Sequence, residues 1–322
     1  MTNEESTIEY SPSTFDIKHG VGDKFMNDFM KTHKLGDLKA KTELLVKKSK
    51  DSVNKPLVIS FCSEKGGCGK TTVAMCMSQI FANIGFKVLV VDLDNLESSH
   101  LFLNSRKKRL LDFITESQES GVPEQQVIEA KSKIDPLVES VRVDTGVFNS
   151  SYIDELCSDS KFDIIIFDSA GGKGKRTQNF NVKDLNATGA PHVSLAYKSN
   201  LVIIPMRVTP IDINLAINFY FPLQDFLRLL EATNKQEIRT QYRLLANSTE
   251  RTGSGKSQLE DFREGSFKLF NTALRRSEKI AFALDLGGVG TVFTTKVAMN
   301  MQQGLIDVTK EVIDDIEVSL GV

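Results

Sequence analysis

Apolar positions change character near residue 57. From there on, short and almost wholly apolar runs at 57–62, 87–92, 163–168, 201–206 and 241–246 predict β-strands. Helical stretches are predicted between and after them, at 70–83, 107–116, 211–230, 256–274 and 297–320. Strands this continuously apolar need cover on both faces, whereas a half-solvated sheet alternates apolar and polar residues. The expected fold is therefore α/β: a doubly wound, mostly parallel sheet with helices on both faces. Segment 169–200 is rich in Gly, Lys, Asn and Thr and lacks strong periodicity, so it reads as a long loop with one short helix. Residues 1–55 contain no strand-like run. Two short amphipathic helices fit there: 23–32, with Phe25, Phe29 and Met30 on one face, and 38–48, carrying Leu44 and Leu45. This stretch reads as a partly ordered N-terminal extension, and 56–322 as one domain.

The composition narrows the class. With 322 residues and 40% hydrophobic, the chain can bury a sizeable core, which excludes wholesale disorder. No window approaches the roughly 18–20 uninterrupted apolar residues of a membrane span. The opening MTNEESTIEYSPSTF has neither the basic nor the apolar region of a secretory signal. The cysteines at 62, 68, 76 and 157 show no CxxC spacing, so they read as reduced, cytosolic thiols that pack as small apolar groups. His19, His33, His100 and His192 show no metal-ligand spacing. A net charge of −2 argues against an overall basic coat but leaves room for a local basic face.

The chemistry is concentrated in Ser63-Glu64-Lys65-Gly66-Gly67-Cys68-Gly69-Lys70-Thr71-Thr72, between the first strand and the first long helix. Glycines let backbone N–H groups approach phosphate oxygens, and the helix N-terminus adds roughly half a positive charge. Lys70 can reach the β- and γ-phosphates, and the Thr71 hydroxyl can ligate Mg²⁺. The strict Gly-x4-Gly-Lys-Ser/Thr pattern fails at Glu64, and an additional lysine, Lys65, precedes the Gly-Gly pair. This run resembles the deviant Walker A motif of the ParA/MinD family of P-loop ATPases, and the resemblance extends over about 56–322. A second Gly-Ser-Gly-Lys-Ser run at 253–257 lacks the required first glycine, because Glu250 stands there; it reads as a helix cap.

The resemblance implies ATP and Mg²⁺ as cofactors and ATP hydrolysis as the activity. Gly66, Gly67, Cys68, Gly69, Lys70, Thr71 and Thr72 would bind the nucleotide. Val88-Leu-Val-Val-Asp92-Leu-Asp94 looks like the switch whose second Asp, here Asp94, orients the attacking water, although Asn95-Leu96 replaces the family's Pro-Gln. Residues 162–168 look like a Walker B strand ending in Asp168, which would hold Mg²⁺ through water. The family's Pro-containing switch after this Asp is replaced by Ser169-Ala-Gly-Gly-Lys-Gly-Lys-Arg176. Asn247 is a candidate for contact with the base. Lys65 corresponds to the lysine that reaches across an ATP-sandwich dimer, so Lys65, Lys70 and Asp94 are the catalytic candidates.

Two uses of such an engine stay open. One is a partition ATPase that dimerises on ATP, binds non-specific DNA and is stimulated by a ParB-like centromere-binding adaptor. It would be cytoplasmic and nucleoid-associated, and its DNA-binding candidates are Arg251, Arg275, Arg276 and Lys279. The other is a relative that positions a protein cargo, or a nucleotide-switched adaptor. Membrane cycling is not expected, because the C-terminal stretch 310–322 is acidic rather than basic. The cysteine placement suits no iron–sulfur cluster, and no tyrosine-rich tail is present. The Lys-rich end of the extension could touch DNA, dock a partner or remain a solvated tail.

Overall fold

The computed structural model describes residues 30–94, 138–158, 161–171, 190–234, 238–247, 253–265, 267–275 and 296–322, with Phe180 and scattered positions between 99 and 123. Six strands are described: β1 Leu57–Phe61, β2 Val88–Asp92, β3 Glu139–Arg142, β4 Ile164–Asp168, β5 Leu201–Arg207 and β6 Gln241–Asn247. The named helices are α1 Gly36–Val53, α2 Lys70–Asn83, α3 Ser150–Ser158, α4 Pro191–Lys198, α5 Pro210–Asn234, α6 Gly253–Glu264 and α7 Lys296–Leu320. The strands form one sheet in the order β3-β2-β4-β1-β5-β6, and every pairing is parallel. This is the doubly wound α/β arrangement expected, with the P-loop NTPase order of strands around β1.

Period-2 alternation divides the strand side chains between two cores. Leu57, Ile59, Phe61, Val88, Val90, Ile164 and Ile166 pack with α2 and α7 on one face. Val58, Leu89, Val91, Ile165, Phe167, Val202 and Ile204 pack with residues of α3, α4 and α5 on the other. β1, β2 and β4 are buried along their whole length, which is why their sequences carry no polar alternation.

Two differences from the sequence reading stand out, beside one agreement. β3 was not expected: its sequence, Glu-Ser-Val-Arg, is an edge strand with no buried position and hence no apolar run. The helix expected over 256–274 ends at Glu264, and Leu269 makes a parallel bridge to Leu244 instead. The short helix expected within 169–200 is α4, with Pro191 in its first turn.

Helix α1, within the stretch read as an extension, packs into the first core. Leu35, Leu38, Leu45 and Val46 are buried there with α7 residues Val308, Val312 and Ile316. Lys41 ion-pairs with Asp314 and Glu317 of α7, and Lys50 with Asp163 at the start of β4. Of the two leucines assigned to one face, Leu45 is buried and Leu44 is exposed. The helix expected at 23–32 lies almost entirely outside the described residues.

Candidate functional site

The C-terminal ends of the parallel strands converge on the loop between β1 and α2, the position where open α/β sheets bind ligands. Gly69 is the N-cap of α2 and takes a left-handed φ of +93°. A side chain there would be strained and would also collide with Asn247, because an added Cβ would lie 2.0 Å from its Nδ2. The loop is tied internally by Ser63 Oγ, which accepts from the Lys65 N–H, and by the Cys68 thiol, which donates to the Lys65 carbonyl. Lys70 is buried, and its ammonium curls back over the loop to donate to the Lys65 carbonyl at 3.2 Å. The loop's glycines and the α2 N-terminus are arranged as a phosphate cradle at residues 66–72 would need.

Asp92 and Asp168 are in register on adjacent strands β2 and β4, and both are fully buried. Their surroundings separate their roles. Asp92 accepts from the Asp94 N–H through Oδ1, and from Ser99 N–H, Ser99 Oγ–H and His100 N–H through Oδ2. It therefore anchors the turn that carries Asp94, which is half-buried beside it. Among the described residues, neither oxygen of Asp168 has a well-aligned hydrogen bond. Burial pushes the Asp168 carboxyl up to about 7, an effect eased by the Thr71 hydroxyl, increased by the Asp92 charge, and eased again by Lys70 and Ser99. A buried carboxylate with unsatisfied oxygens beside Thr71 has the donor chemistry of a hard-cation site, so Thr71 and Asp168 fit Mg²⁺. Asp92 does not, because its oxygens are already occupied.

Several contributors were not singled out in the sequence. Lys65 Nζ donates to Asp212 Oδ1 at the start of α5. The sequence signal for this position is Thr209-Pro210-Ile211-Asp212, an N-cap threonine with proline at the first helical position and an acid three residues after the cap. Arg207, at the end of β5, brings its guanidinium to 3.5 Å from where a Gly67 Cβ would sit. Gly171, just beyond β4, lies so close to the phosphate loop that a Cβ would come within 2.9 Å of both Gly66 Cα and Lys70 Nζ. These contacts join segments far apart in the chain, so no local pattern announces them.

Asn247 is buried at the end of β6, and its amide donates to the Cys68 carbonyl at 2.8 Å. Arg275 is exposed, while Arg251, Arg276 and Lys279 lie outside the described residues, as do Asn95 and Leu96. All four cysteines are free and buried, and burial pushes the Cys62 and Cys157 thiols up to about 12 and 11. Among the described residues there is no metal-binding group of three or more His, Cys, Asp or Glu, and no helix long and apolar enough to cross a membrane.

Residues 57–183 match the family described as AAA domain. An uncharacterized ATP-binding protein of Methanocaldococcus jannaschii is 28% identical over 164 residues, 48% of this chain and 56% of that protein. The chain thus spans little more than half the length of that relative. Among solved structures, a plasmid partition protein of Borrelia burgdorferi bound to AMPPNP is similar with a TM-score of 0.52 at 15% identity, over 80% of this chain and 100% of that one. Apo McdA of Cyanothece is similar with a TM-score of 0.50 at 15% identity, over 80% and 99%. At such identities the structural likeness is one of fold. Residues 57–183 thus match an AAA domain, and the parallel sheet that sets the β1–α2 loop beside Asp168 has the fold of the P-loop ATPases it is similar to.

Proposed function

We propose that the chain is an ATP-hydrolysing switch of the DNA-partition kind. It would dimerise on ATP, hold non-specific DNA, and release it when a ParB-like centromere-binding adaptor stimulates hydrolysis. The observation that carries this reading is the pairing of a buried Lys70 inside the cradle with a second lysine, Lys65, half-exposed at its mouth.

Hydrolysis at such a site is mostly positioning and charge stabilisation. The loop amides and Lys70 would hold the triphosphate, and Asp94, set by the Asp92-anchored turn, would orient water. Thr71 and Asp168 would hold Mg²⁺, which when bound neutralises charge on the phosphate oxygens. Lys65 would act on the second protomer's phosphates, comparable to an arginine finger worth of order 10³–10⁵ in rate. DNA would be held through phosphates by Arg251, Arg275, Arg276 and Lys279, on a nucleoid-associated protein. Its affinity should fall with salt with a log–log slope of about −0.9 per phosphate neutralised.

The test combines sedimentation velocity with ATP or ADP, DNA co-sedimentation in both states, and turnover with and without DNA. ATP-dependent dimers that carry DNA, lost in Lys65→Ala, are expected. Equal DNA binding with ATP and ADP would overturn the switch. Absence of DNA binding, with turnover raised by a protein partner alone, would assign the chain to protein-cargo positioning.

A further inference from the structure

Arg207 and Asn247 are paired in register at the ends of the parallel strands β5 and β6, so their side chains leave the sheet on the same face. That face is the one packed by α2, and Leu201, Ile203 and Leu245 belong to it. Beyond the strand ends it meets the phosphate loop. Asn247 reaches Cys68, while the Arg207 guanidinium stands 3.5 Å from where a Gly67 Cβ would be. The two side chains differ in what they are free to do. Asn247 is buried, and its amide already donates to the Cys68 carbonyl. Arg207 is exposed, and among the described residues its guanidinium makes no ion pair and no hydrogen bond. Lys65 and Lys70 each have an acceptor within the chain. Arg207 is thus the uncommitted cation beside the glycine-rich loop.

We propose that Arg207 is a nucleotide-binding residue whose guanidinium binds the phosphates that ATP and ADP share. The proposal rests on the reading above, in which residues 66–72 hold a nucleotide. Loop amides of this kind cradle the α- and β-phosphates, whereas the loop lysine reaches the β- and γ-phosphates. Gly67 lies three positions before Lys70, among those amides, and has no side chain to stand between Arg207 and a phosphate chain. A guanidinium is always charged and offers a rigid planar fork of donors, which suits two phosphate oxygens at once. Because Arg207 is exposed and unpaired, engaging a phosphate breaks no existing contact and strands no carboxylate. Bound nucleotide would then join the end of β5 to the phosphate loop, as Asn247 joins the end of β6 to it without a ligand.

The experiment is calorimetric titration of the full chain with Mg-ATP, Mg-ADP and Mg-pyrophosphate, at low and at moderate salt. It compares the parent with Arg207→Lys, Arg207→Gln and Arg207→Ala. In the Gln and Ala variants the affinity for all three ligands should fall about 5- to 30-fold, the range of a partly exposed hydrogen bond to a charged group. Arg207→Lys keeps the charge without the fork and should lose less. The gap between parent and variants should narrow as salt rises, which a merely structural effect on the loop would not produce. Unchanged affinity in both the Gln and Ala variants, with the parent binding ATP, overturns the proposal alone. A loss confined to ATP would place Arg207 at the γ-phosphate, and a loss that spares pyrophosphate would place it on the nucleoside; either result overturns it. If the parent binds neither nucleotide, the reading of the phosphate loop fails and the proposal with it.

Discussion

The side-chain amide of Asn247 donates to the backbone carbonyl of Cys68 at 2.8 Å, joining the end of β6 to a loop 179 positions earlier in the chain. This contact props the back of the phosphate cradle. Asn247→Ala removes a buried hydrogen bond worth about 1 kcal/mol, and more where the acceptor finds no replacement, so nucleotide affinity should fall about tenfold. Gly69→Ala should do worse, because the new Cβ meets Asn247 at 2.0 Å and the φ of +93° is strained for alanine. Calorimetric titration with ATP should show the Gly69→Ala/Asn247→Ala double variant binding better than Gly69→Ala alone, since the clash is then gone.

Asp168 should make the nucleotide-free protein less stable as pH rises. Its folded pKa of about 7 lies above the ordinary carboxyl value of 3.8, so the folded state binds more protons than the unfolded state between those limits. The stabilisation is fully present below about pH 4 and is lost as pH rises through about 7, with a ceiling of about 4 kcal/mol. Asp168→Asn should therefore raise the melting temperature near pH 8 and change it little near pH 5. The same substitution should abolish the extra stabilisation that Mg²⁺ adds to bound ATP.

His192 should oppose stability on the acid side. It is buried on α4 against the Phe219 ring, its Nδ1 has no hydrogen-bond partner among the described residues, and burial followed by the Lys70 charge lowers it from 6.5 to about 4. A lowered pKa contributes stability above about 6.5 that is lost as pH falls through about 4. Denaturant titrations at pH 7 and 4.5 should show His192→Leu narrowing the difference between them by about 2–3 kcal/mol.

Leu44 and Leu45 should respond to truncation with very different costs. Leu45 is 0% exposed in the core shared with α7, and Leu44 is 55% exposed. Leu45→Ala should cost about 2–5 kcal/mol in chemical denaturation, and Leu44→Ala less than about 0.5 kcal/mol. Equal, small effects would mean that α1 is not part of the cooperative core.

Much of this protein follows from local pattern. Continuous apolar runs mark β1, β2, β4 and most of β5, because a strand buried on both faces has no solvent-facing position for a polar residue, whereas β6 keeps half-buried Gln241 and Arg243. The run from Lys65 to Thr72 marks the cradle, because close backbone approach to phosphate demands glycines at one fixed spacing before a helix. These signals are contiguous in sequence, so the fold class can be read without coordinates, and so can the loop at which nucleotide chemistry is proposed.

What tertiary structure alone decided is which distant groups meet. β3 has no apolar run because an edge strand is not buried on both faces. The burial of α1 depends on the matching face of α7 more than 240 residues later, and neither helix declares its partner. Asp92 and Asp168 are similar strand-end carboxylates in sequence, yet Asp92 accepts from Asp94, Ser99 and His100, while Asp168, eased by the Thr71 and Ser99 hydroxyls, has no well-aligned partner among the described residues. The pairing of Lys65 with Asp212 likewise exists only because β1 and β5 lie side by side and bring the phosphate loop to the N-terminus of α5. Local sequence fixes backbone propensity and burial period, whereas electrostatic pairing is set by through-space distance, which is known only once the sheet order is known.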